Sequence, residues 1–454
     1  MSWARRLITT LWLALRGRAE SQVPFRSERA IRRRQTRNLR RIVAHAFRNV
    51  PYFQEVARSE GLSERDILSC EDLCRLPLID GRALHTNPMA FVSQAFPRAS
   101  LVMLHSTGTA AYGAKTVFWH PRELMYGITY GERDRRVLRK LLGKSHNLVR
   151  LSFHHPVSST SDVSRFQASR TWVPSAIMKT HWASGEMAYD EVARLFDELH
   201  PDVVYSYGSF AEYVLLHILA GNLTGYLPKV WVFGADGVSE QGRRTIAENL
   251  PCALYSTYQA VETGRIGFEC EMRSGYHINT DVCHVRIVNE RGETVAPGEV
   301  GEVVVSNLVN RGSILLNYRL GDYAAWGTEP CSCGRTLPLL RLTGARTTST
   351  LRLRNGGELQ EHEFVLACKE SISEVLQFQI IENAPESIVW RVALSRVADR
   401  EQIVSDLMER SRSVMSPEAD VRVEIVDRIV LPPGAKLTRI VRSSHDTAGS
   451  QVTK

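Results

Sequence analysis

Short apolar runs with the length of β-strands alternate with helical patterns over the middle of this chain. The runs that predict strands are Leu148–Phe153, Val203–Tyr207, Val230–Phe233 and Ala253–Tyr255. Helical periodicity fills the spacers between them, as in Ala188–Glu198 and Phe210–Ala220. This alternation predicts an α/β architecture with parallel strands, in which ligand sites lie beyond the carboxyl ends of the strands.

A different pattern begins near residue 280, where short β-like runs are separated by turns that contain glycine. Runs such as Glu299–Ser306 and Ser313–Arg319 indicate an antiparallel meander or a small β-barrel. Further on, the pattern predicts a smaller α+β region with one long helix, Asp399–Met415. Because 454 residues exceed what one core usually supports, we predict an N-terminal domain over residues 1–344 and a C-terminal domain over residues 345–454.

The formal net charge of +8 is concentrated at the N-terminus. Residues 1–50 contain thirteen arginines, no lysine and two acidic residues, which gives this helical segment +11 and leaves −3 for the other 404 residues. The body of the protein is therefore close to neutral. Since the basic segment has no interleaved aromatic pattern and no groove-reading motif, we expect no nucleic-acid partner.

The first twenty residues predict a basic amphipathic helix. Leu7–Leu15 is apolar apart from two threonines, and arginines flank it on both sides. A secretory signal would need small residues where Arg16 and Arg18 stand. Packing on the body of the protein is the simpler interpretation, and peripheral contact of residues 1–20 with an anionic membrane is the alternative. Eight cysteines are too few for a disulfide-stapled secreted protein, so we expect a cytoplasmic location.

A turn rich in small polar residues follows the strand-like run Leu101–Leu104. Its candidate phosphate-binding residues are Ser106, Thr107, Gly108, Thr109 and Lys115. Backbone N–H groups and hydroxyls in such a turn can bind polyphosphate oxygens. The spacing differs from the phosphate loop of common nucleotide hydrolases, which excludes that class. Small polar turns also follow strands without binding any ligand, so the downstream motifs decide between the two interpretations.

Three downstream motifs accompany this loop. They are Tyr255-Ser-Thr-Tyr-Gln-Ala-Val-Glu262, the run from Gly298-Glu-Val-Gly-Glu-Val-Val-Val-Ser to Tyr-Arg-Leu-Gly-Asp322, and Cys331-Ser-Cys-Gly-Arg335. Together with the loop, they resemble the adenylate-forming superfamily, specifically its phenylacetate–CoA ligase and CapK-like branch. The resemblance covers roughly residues 35–442.

The resemblance implies a fold and an activity. The implied α/β fold has a large multi-subdomain N-terminal domain, with parallel sheets and a small β-barrel, and a smaller mobile α+β C-terminal domain. The implied activity is ATP-dependent activation of an aryl or small acyl carboxylic acid through an acyl-adenylate, followed by acyl transfer to CoA. An amine or hydroxyl acceptor, and a non-catalytic scaffold member, are the alternatives. Whether the protein is a homodimer stays open.

The same resemblance implies roles for individual residues. Glu262 is expected to bind Mg²⁺, a hard cation that prefers carboxylate and phosphate oxygens. Lys436 is expected to bridge carboxylate and phosphate during adenylation, and Arg346 to lie near the ribose and phosphates at the hinge. The implied ATP-binding residues are Ser106, Thr107, Gly108, Thr109, Lys115, Gly234, Ala235, Asp236, Tyr258 and Asp322, and the implied acyl-pocket residues are His154 and Tyr207.

Two pairs of soft ligands predict a metal centre. Cys331 and Cys333 are one residue apart, and Cys270 precedes His277 by seven positions. Three thiolates and one imidazole complete the closed tetrahedral set of a structural Zn²⁺ site, and members of the branch often carry such a metal. Buried free cysteines are the alternative interpretation. The rival ligands nearby are Cys283 and His284.

The chain departs from the family pattern at the loop and at the hinge. Ala110 and Ala111 stand where the family has a hydroxyl residue and a glycine, and Thr347 and Thr348 replace the acidic hinge residues. In the family, rotation about that hinge lets one site serve both half-reactions. We expect these departures to impair the second half-reaction, transfer to CoA, more than adenylation.

Overall fold

The computed structural model describes residues 2–106, 115–154, 158–173, 175–221, 225–346, 350–368, 375–394, 398–427, 429 and 439–443. The helices are α1 (Trp3–Glu20), α2 (Glu28–Asn49), α3 (Pro51–Glu60), α4 (Gly81–Thr86), α5 (Pro121–Tyr130), α6 (Arg135–Leu142), α7 (Ser159–Ala168), α8 (Tyr189–Leu199), α9 (Gly208–Leu219), α10 (Glu240–Asn249), α11 (Glu361–Ala367) and α12 (Arg400–Val414). The strands are β1 (Val102–His105), β2 (Thr116–Trp119), β3 (Leu148–Phe153), β4 (Met178–Ala183), β5 (Val203–Tyr207), β6 (Val230–Gly234), β7 (Ala253–Ala260), β8 (Gly264–Glu269), β9 (Tyr276–Ile278), β10 (Cys283–Val288), β11 (Gly301–Asn307), β12 (Tyr318–Trp326), β13 (Leu339–Arg346), β14 (Thr350–Arg352), β15 (Glu358–Gln360), β16 (Val375–Ala384), β17 (Ser387–Leu394), β18 (Asp420–Ile425) and β19 (Ile440–Arg442).

The basic N-terminal segment forms the helices α1 and α2. Helix α2 buries one stripe of side chains at helical spacing, including Leu39, Ile42, Val43 and Ala46, and exposes its arginines on the other side. The chain turns into α3 at Pro51, which occupies the first helical position, where its missing N–H costs nothing. None of the described helices has the length and apolar character that a membrane-spanning segment needs.

The centre of the protein is an eleven-stranded sheet in the order β10-β11-β12-β13-β9-β8-β7-β6-β5-β3-β4. Strands β4, β3, β5, β6 and β7 are mutually parallel. Their central residues, such as Val204 and Trp231, are fully buried, as expected for parallel strands that helices cover on both faces. The four sequence-predicted strands correspond to β3, β5, β6 and β7, which confirms the α/β prediction.

The antiparallel strands differ from the expected arrangement in one respect. Instead of forming a separate small barrel, β8 to β13 continue the same sheet. The reason is local, because β7 pairs in parallel with β6 along one edge and antiparallel with β8 along the other, with Thr257 opposite Phe268. The chain turns back after Ala260 and extends the existing sheet edge.

The described residues from 350 onward build a smaller sheet of order β18-β17-β16-β19. Helices α11 and α12 pack on it, and the resulting apolar core includes Phe364, Ile380, Trp390 and Leu407. This region has the α+β character that the sequence predicts. The boundary at residue 344 and the mobility of the C-terminal region stay predictions.

A buried cluster of four charges ties the N-terminal helices to the central sheet. Arg133, in the 3₁₀ turn after α5, is fully buried and donates hydrogen bonds to Glu20 at 2.6 Å and to Asp281 at 2.7 Å. Arg34 of α2 pairs with the same two carboxylates at 2.8 and 3.0 Å. Burial raises the pKa of Asp281, but the charge of Arg133 and then that of Arg34 outweigh burial, so the pKa lies below its usual value. These two cations and two anions form the buried cluster, and the partly exposed Arg16 of α1 also pairs with Glu20 at 3.1 Å.

Replacing Arg133 by methionine should lower the free energy of unfolding by about 3–5 kcal/mol, because the variant removes the fully buried cation that both carboxylates share. Asp281 would then keep only Arg34, and Glu20 would keep Arg34 and the partly exposed Arg16. Denaturant unfolding measures the change. The matched control is Arg136→Met, since Arg136 is exposed and contacts only the neutral side chains of Gln22 and Phe25 among the described residues. A loss for Arg133→Met as small as that of the control would contradict a structural role for the cluster.

Candidate active site

A cavity of about 2240 Å³ lies at the carboxyl ends of the parallel strands. The sequence-predicted residues that line it are Ser106, Lys115, His154, Tyr207, Gly234, Ala235, Asp236, Tyr258, Glu262 and Asp322. Thr107, Gly108, Thr109 and Lys436 lie outside the described residues, as do Ala110, Ala111, Thr347 and Thr348. Arg346 ends β13, where its backbone is paired with that of Asp322. The fold thus brings every fully described member of the predicted ATP and acyl sites to one cavity.

The hairpin of β1 and β2 fixes both ends of the predicted phosphate loop. Its register places His105 opposite Thr116. Beyond the paired strands, Ser106 N donates to the carbonyl oxygen of Lys115 at 2.9 Å, and Lys115 N donates to Ser106 Oγ at 2.9 Å. The segment between Ser106 and Lys115 therefore starts and ends at the cavity wall.

Lys115 enters a hydrogen-bonded chain with Tyr318 and Glu262. Its Nζ donates to the Tyr318 hydroxyl at 2.7 Å and lies 3.5 Å from Glu262 Oε1. The Tyr318 hydroxyl donates to the same Glu262 oxygen at 3.2 Å. Burial, followed by the Glu262 charge, raises the pKa of Tyr318 far above its usual value, so the phenol keeps its proton. A buried cation and a buried carboxylate thus share one protonated phenol.

Asp322 faces the cavity from β12, in the antiparallel half of the sheet. Its Oδ2 accepts a hydrogen bond of 2.9 Å from the hydroxyl of Tyr258, which lies on β7. This hydrogen bond joins β7, the last of the parallel strands, to β12 in the antiparallel half of the sheet. It fixes the orientation of a carboxylate whose two oxygens can accept hydrogen bonds from hydroxyl groups.

The Gly234-Ala-Asp236 turn is organised by a helix cap. Asp236 Oδ1 accepts from the backbone N–H groups of Gly208 and Ser209, and its Oδ2 accepts from Ser209 Oγ at 2.6 Å. These contacts satisfy N–H groups at the start of α9 that have no partner within the helix. Any residue larger than glycine at position 208 would clash with this turn, because a Cβ there would lie 2.6 Å from the Gly237 carbonyl carbon. Direct contact of Gly234, Ala235 and Asp236 with ATP stays a prediction.

His154 and Tyr207 lie at the ends of the neighbouring strands β3 and β5. The His154 ring packs against Trp182 with centroids 4.6 Å apart. Burial, and then the charge of Arg150, lower the pKa of His154 to about 4, so the imidazole is neutral at neutral pH. Burial and the Asp236 charge raise the pKa of Tyr207. Both side chains therefore present neutral surfaces to the cavity, as an acyl pocket requires.

The four predicted metal ligands come together on the antiparallel side of the sheet. The ligand atoms of Cys270, His277, Cys331 and Cys333 all lie within 4.8 Å of one another. Cys270 Sγ is 3.6 Å from Cys331 Sγ, and Cys333 Sγ is 3.2 Å from His277 Nε2. His277 Nδ1 lies 2.9 Å from the Leu337 carbonyl oxygen, which places the ring proton on Nδ1 and leaves Nε2 free to act as a ligand.

The two rival ligands considered from the sequence are excluded from this cluster. Cys283 starts β10, where it is fully buried in the main apolar core. His284 is the next residue along that strand, and burial lowers its pKa to about 4. Strand β10 forms the far edge of the sheet, whereas the cluster surrounds β9 and the chain before β13. The ligand set is thus the one that the paired spacings predict.

Sequence reasoning missed two residues of the site: Arg150, which lines the cavity, and Tyr318, which is fully buried behind Lys115 and Glu262. Tyr318 stands four positions before Asp322 and begins the Tyr-Arg-Leu-Gly-Asp motif, so its place in that motif was a usable signal. Arg150 lies inside β3, and a charged residue within an otherwise apolar strand run was also visible. The contacts of both residues depend on side chains that are distant along the chain.

The fold is that of adenylate-forming acyl-CoA ligases. A structure of 2-hydroxyisobutyryl-CoA ligase in the postadenylation state, in complex with an acyl-AMP, superposes with a TM-score of 0.73, at 16% identity, over 94% of this chain and 92% of that chain. Among characterised relatives, phenylacetate-coenzyme A ligase of Thermus thermophilus is 23% identical over 434 residues, which are 89% of this chain and 93% of the relative.

A second relative belongs to the other part of the predicted branch. Protein CapK of Staphylococcus aureus is 20% identical over 266 residues, which are 57% of this chain and 57% of the relative. No protein-family model matches the chain. The homologues named phenylacetate-coenzyme A ligase and CapK confirm the resemblance that the motifs predicted, and the ligases among these relatives are enzymes.

Proposed function

We propose that this protein is an ATP-dependent ligase that activates a carboxylic acid as an acyl-adenylate and then transfers the acyl group to CoA. The observation that carries the proposal is the convergence of Lys115, Glu262 and Asp322 on one cavity at the carboxyl ends of the parallel strands. Chain segments far apart in sequence supply a cation, a buried carboxylate and an oriented carboxylate. These are the groups that polyphosphate, Mg²⁺ and ribose hydroxyls need.

Adenylation brings a carboxylate to the α-phosphate of ATP, so the site must offset repulsion between two anions. Lys115 holds a positive charge at the end of the phosphate loop, and Tyr318 holds the Lys115 ammonium group in place. Glu262 would hold Mg²⁺, which supplies further neutralisation of the phosphates when bound. Asp322 would accept hydrogen bonds from the ribose. Lys436 and Arg346 keep the bridging and hinge roles that the resemblance implies.

The acceptor in the second step is proposed to be CoA. The support is that the full-length relative from Thermus thermophilus and the 2-hydroxyisobutyryl-CoA ligase both have CoA in their names and match along nearly the whole chain. Transfer to an amine or hydroxyl is the alternative, because the hinge of this chain lacks the acidic residues of the family. An aryl or small acyl acid is the proposed class of substrate.

We propose Zn²⁺ as the occupant of the cysteine and histidine cluster. Three thiols and one imidazole form a closed set that suits tetrahedral zinc, with no position left for a reacting ligand. Cys270 and His277 flank the turn between β8 and β9, whereas Cys331 and Cys333 precede β13. The ion would therefore have a structural role, joining two loops of the antiparallel half.

We also propose that α1 binds an anionic membrane surface of the cytoplasmic compartment. The helix packs on the body through one face, where Arg6 donates to the carbonyl oxygens of Ala168 and Thr171. Its other face exposes Ile8, Leu11 and Leu15 to 66%, 57% and 74%. These residues are spaced to form one apolar stripe.

Helix α1 also contributes to a basic surface. Arg16 of α1 shares a surface depression with Arg37 and Arg41 of α2. An exposed apolar stripe beside a polybasic surface supplies the two signals that stable association with an anionic bilayer requires. A second copy of the chain, which would give a homodimer, is the alternative occupant.

The proposed activity predicts acid-dependent exchange between ATP and labelled pyrophosphate across a panel of carboxylic acids. Lys436→Ala should slow this exchange at least about a hundredfold, because the bridging cation acts on charge that develops in the transition state. Lys229→Ala, at an exposed lysine outside the cavity, is the control and should leave exchange unchanged. Release of AMP that requires CoA supports the thioester product, whereas release with an amine and no CoA supports an amide. If no acid in a broad panel supports ATP–pyrophosphate exchange, the non-catalytic scaffold alternative is favoured.

The zinc proposal predicts one zinc ion per chain in elemental analysis of the purified protein. Cys333→Ser and His277→Ala should each abolish zinc binding and lower the midpoint of thermal unfolding, because the ion links two loops. Cys74→Ser is the matched control, since Cys74 is exposed and outside the cluster. Zinc-free protein with the same unfolding midpoint after chelator treatment would show that the thiols need no metal.

The membrane proposal predicts co-sedimentation with vesicles that contain phosphatidylglycerol and little binding to phosphatidylcholine alone. The triple change of Ile8, Leu11 and Leu15 to serine should weaken binding at least about tenfold through lost apolar burial, and salt should weaken the binding of the unaltered chain. The control changes Leu68, Met89 and Val300 to serine, since these apolar residues are exposed to 53%, 41% and 58% elsewhere on the surface. If the α1 variant instead converts a dimer to a monomer in light scattering, the occupant is a second copy.

A further inference from the structure

Arg150 lies on the face of β3 that continues to the predicted acyl pocket. Residues 150, 152 and 154 alternate onto one side of the strand. The Arg150 guanidinium carbon lies 4.0 Å above the Tyr205 ring and 5.9 Å from the Trp182 ring, and Trp182 in turn packs against His154. Arg150 and His154 line the same cavity as Lys115 and Glu262. The arginine is therefore placed to meet an acyl group bound beside His154.

The Arg150 guanidinium has no carboxylate partner among the described residues. Its Nε donates to Ser152 Oγ at 3.0 Å, which is a neutral acceptor. Its two terminal nitrogens make no hydrogen bond to any residue in the described part of the chain. Burial, without a compensating carboxylate, lowers the pKa of Arg150, and the charge of Arg265 lowers it further.

Asp134, an acid that lines the same cavity, already has partners. Asp134 accepts from Arg265 at 3.0 Å and from the Tyr255 hydroxyl at 2.9 Å. Among the other arginines that line the cavity, Arg243 pairs with Glu269 and Arg135 with Glu132. Those without a carboxylate partner among the described residues, such as Arg136 and Arg139, are exposed to solvent. Arg150 differs from both groups, because it is half-buried and has no carboxylate partner in the described part of the chain.

A cation that is largely withdrawn from water is costly unless an anion accompanies it. Stacking on Tyr205 fixes the plane of the Arg150 guanidinium, and the terminal nitrogens are left for a planar, two-oxygen acceptor. A carboxylate has that shape. Because four residues of extended strand span about 13 Å between Arg150 and His154, this carboxylate must be several bonds from the one that reacts with ATP.

We propose that Arg150 binds a second carboxylate of the acyl substrate, so that the preferred substrates are dicarboxylic acids activated at one end. The inference rests on the proposed acid-activating function and names the substrate class of that site. Arg150 is a specificity-determining residue here. It touches the substrate at the end that does not react.

The test compares matched acids that differ only in the far group: hexanoate with adipate, and benzoate with terephthalate. Acid-dependent ATP–pyrophosphate exchange is measured for the unaltered enzyme, Arg150→Met, Arg150→Lys and Arg58→Met, the last an exposed surface control. The unaltered enzyme should prefer the diacid of at least one pair about tenfold or more in kcat/KM. Arg150→Met should remove that preference, mainly through KM, while exchange with the neutral acid is retained. Arg150→Lys should recover part of the preference, and Arg58→Met all of it.

Equal losses for both members of each pair in Arg150→Met would overturn the proposal, because a structural role affects all acids alike. So would a preference of the unaltered enzyme for the neutral acids. If no acid supports exchange, the proposed function fails, and calorimetric titration of adipate and terephthalate into the unaltered protein and Arg150→Met then tests the anion site alone. Equal binding to the two proteins, or no binding to either, would remove Arg150 from any such site.

Discussion

Strand β7 pairs in parallel with β6 along one edge and antiparallel with β8 along the other, and the position of the cavity depends on this double pairing. Parallel strands end together, so their carboxyl ends leave a crevice at one sheet edge. The antiparallel half then supplies side chains that reach back over that crevice. Glu262 follows β7 and meets Tyr318 of β12, and Tyr258 of β7 meets Asp322 of the same strand. Glu262 and Asp322 are thus each oriented by a phenol from the other half of the sheet.

Buried charges at three places in the molecule differ in whether they have partners of opposite charge within the protein. The difference distinguishes charges that stabilise the fold from charges that can bind ligands. The cluster around Arg133 is satisfied within the protein, because Glu20 and Asp281 each pair with Arg133 and Arg34, and Glu20 also pairs with Arg16. The pair of Lys115 and Glu262 is neutral, but it lines the cavity, where phosphate or a metal ion can exchange for either partner. Arg150 lines the same cavity with no internal carboxylate. Charge that is satisfied within the protein holds the fold together, whereas the charge of Arg150, which has no carboxylate partner among the described residues, is available to a ligand.

The sequence was sufficient for four of the five parallel strands and for the two cysteine and histidine pairs, but it missed β4 and the contacts between distant segments. Strands β3 and β5 are short, mainly apolar runs that flanking helical patterns delimit, so their bounds are local information. Among the antiparallel strands, β11 was recognisable as the run Glu299–Ser306, whereas the run Ser313–Arg319 only overlaps the start of β12. Their continuation of the main sheet depends on which edge of β7 remains unpaired, and no local pattern encodes that. The contacts of Tyr318 and Arg150 were inaccessible for the same reason, because Lys115 and Tyr205 meet them only through the tertiary fold.

One strand connects the cluster of Cys270, His277, Cys331 and Cys333 to the candidate active site. Strand β13 pairs with β9 at its start, where Leu339 is opposite His277, and with β12 at its end, where Arg346 is opposite Asp322. The ligands Cys331 and Cys333 lie just before β13, so a bound ion would fix the start of the strand whose end reaches the cavity. A strand hydrogen-bonded on both sides resists displacement along its length. A metal ion far from the reacting groups would in this way help to hold the residues that border the predicted hinge, without contacting any substrate.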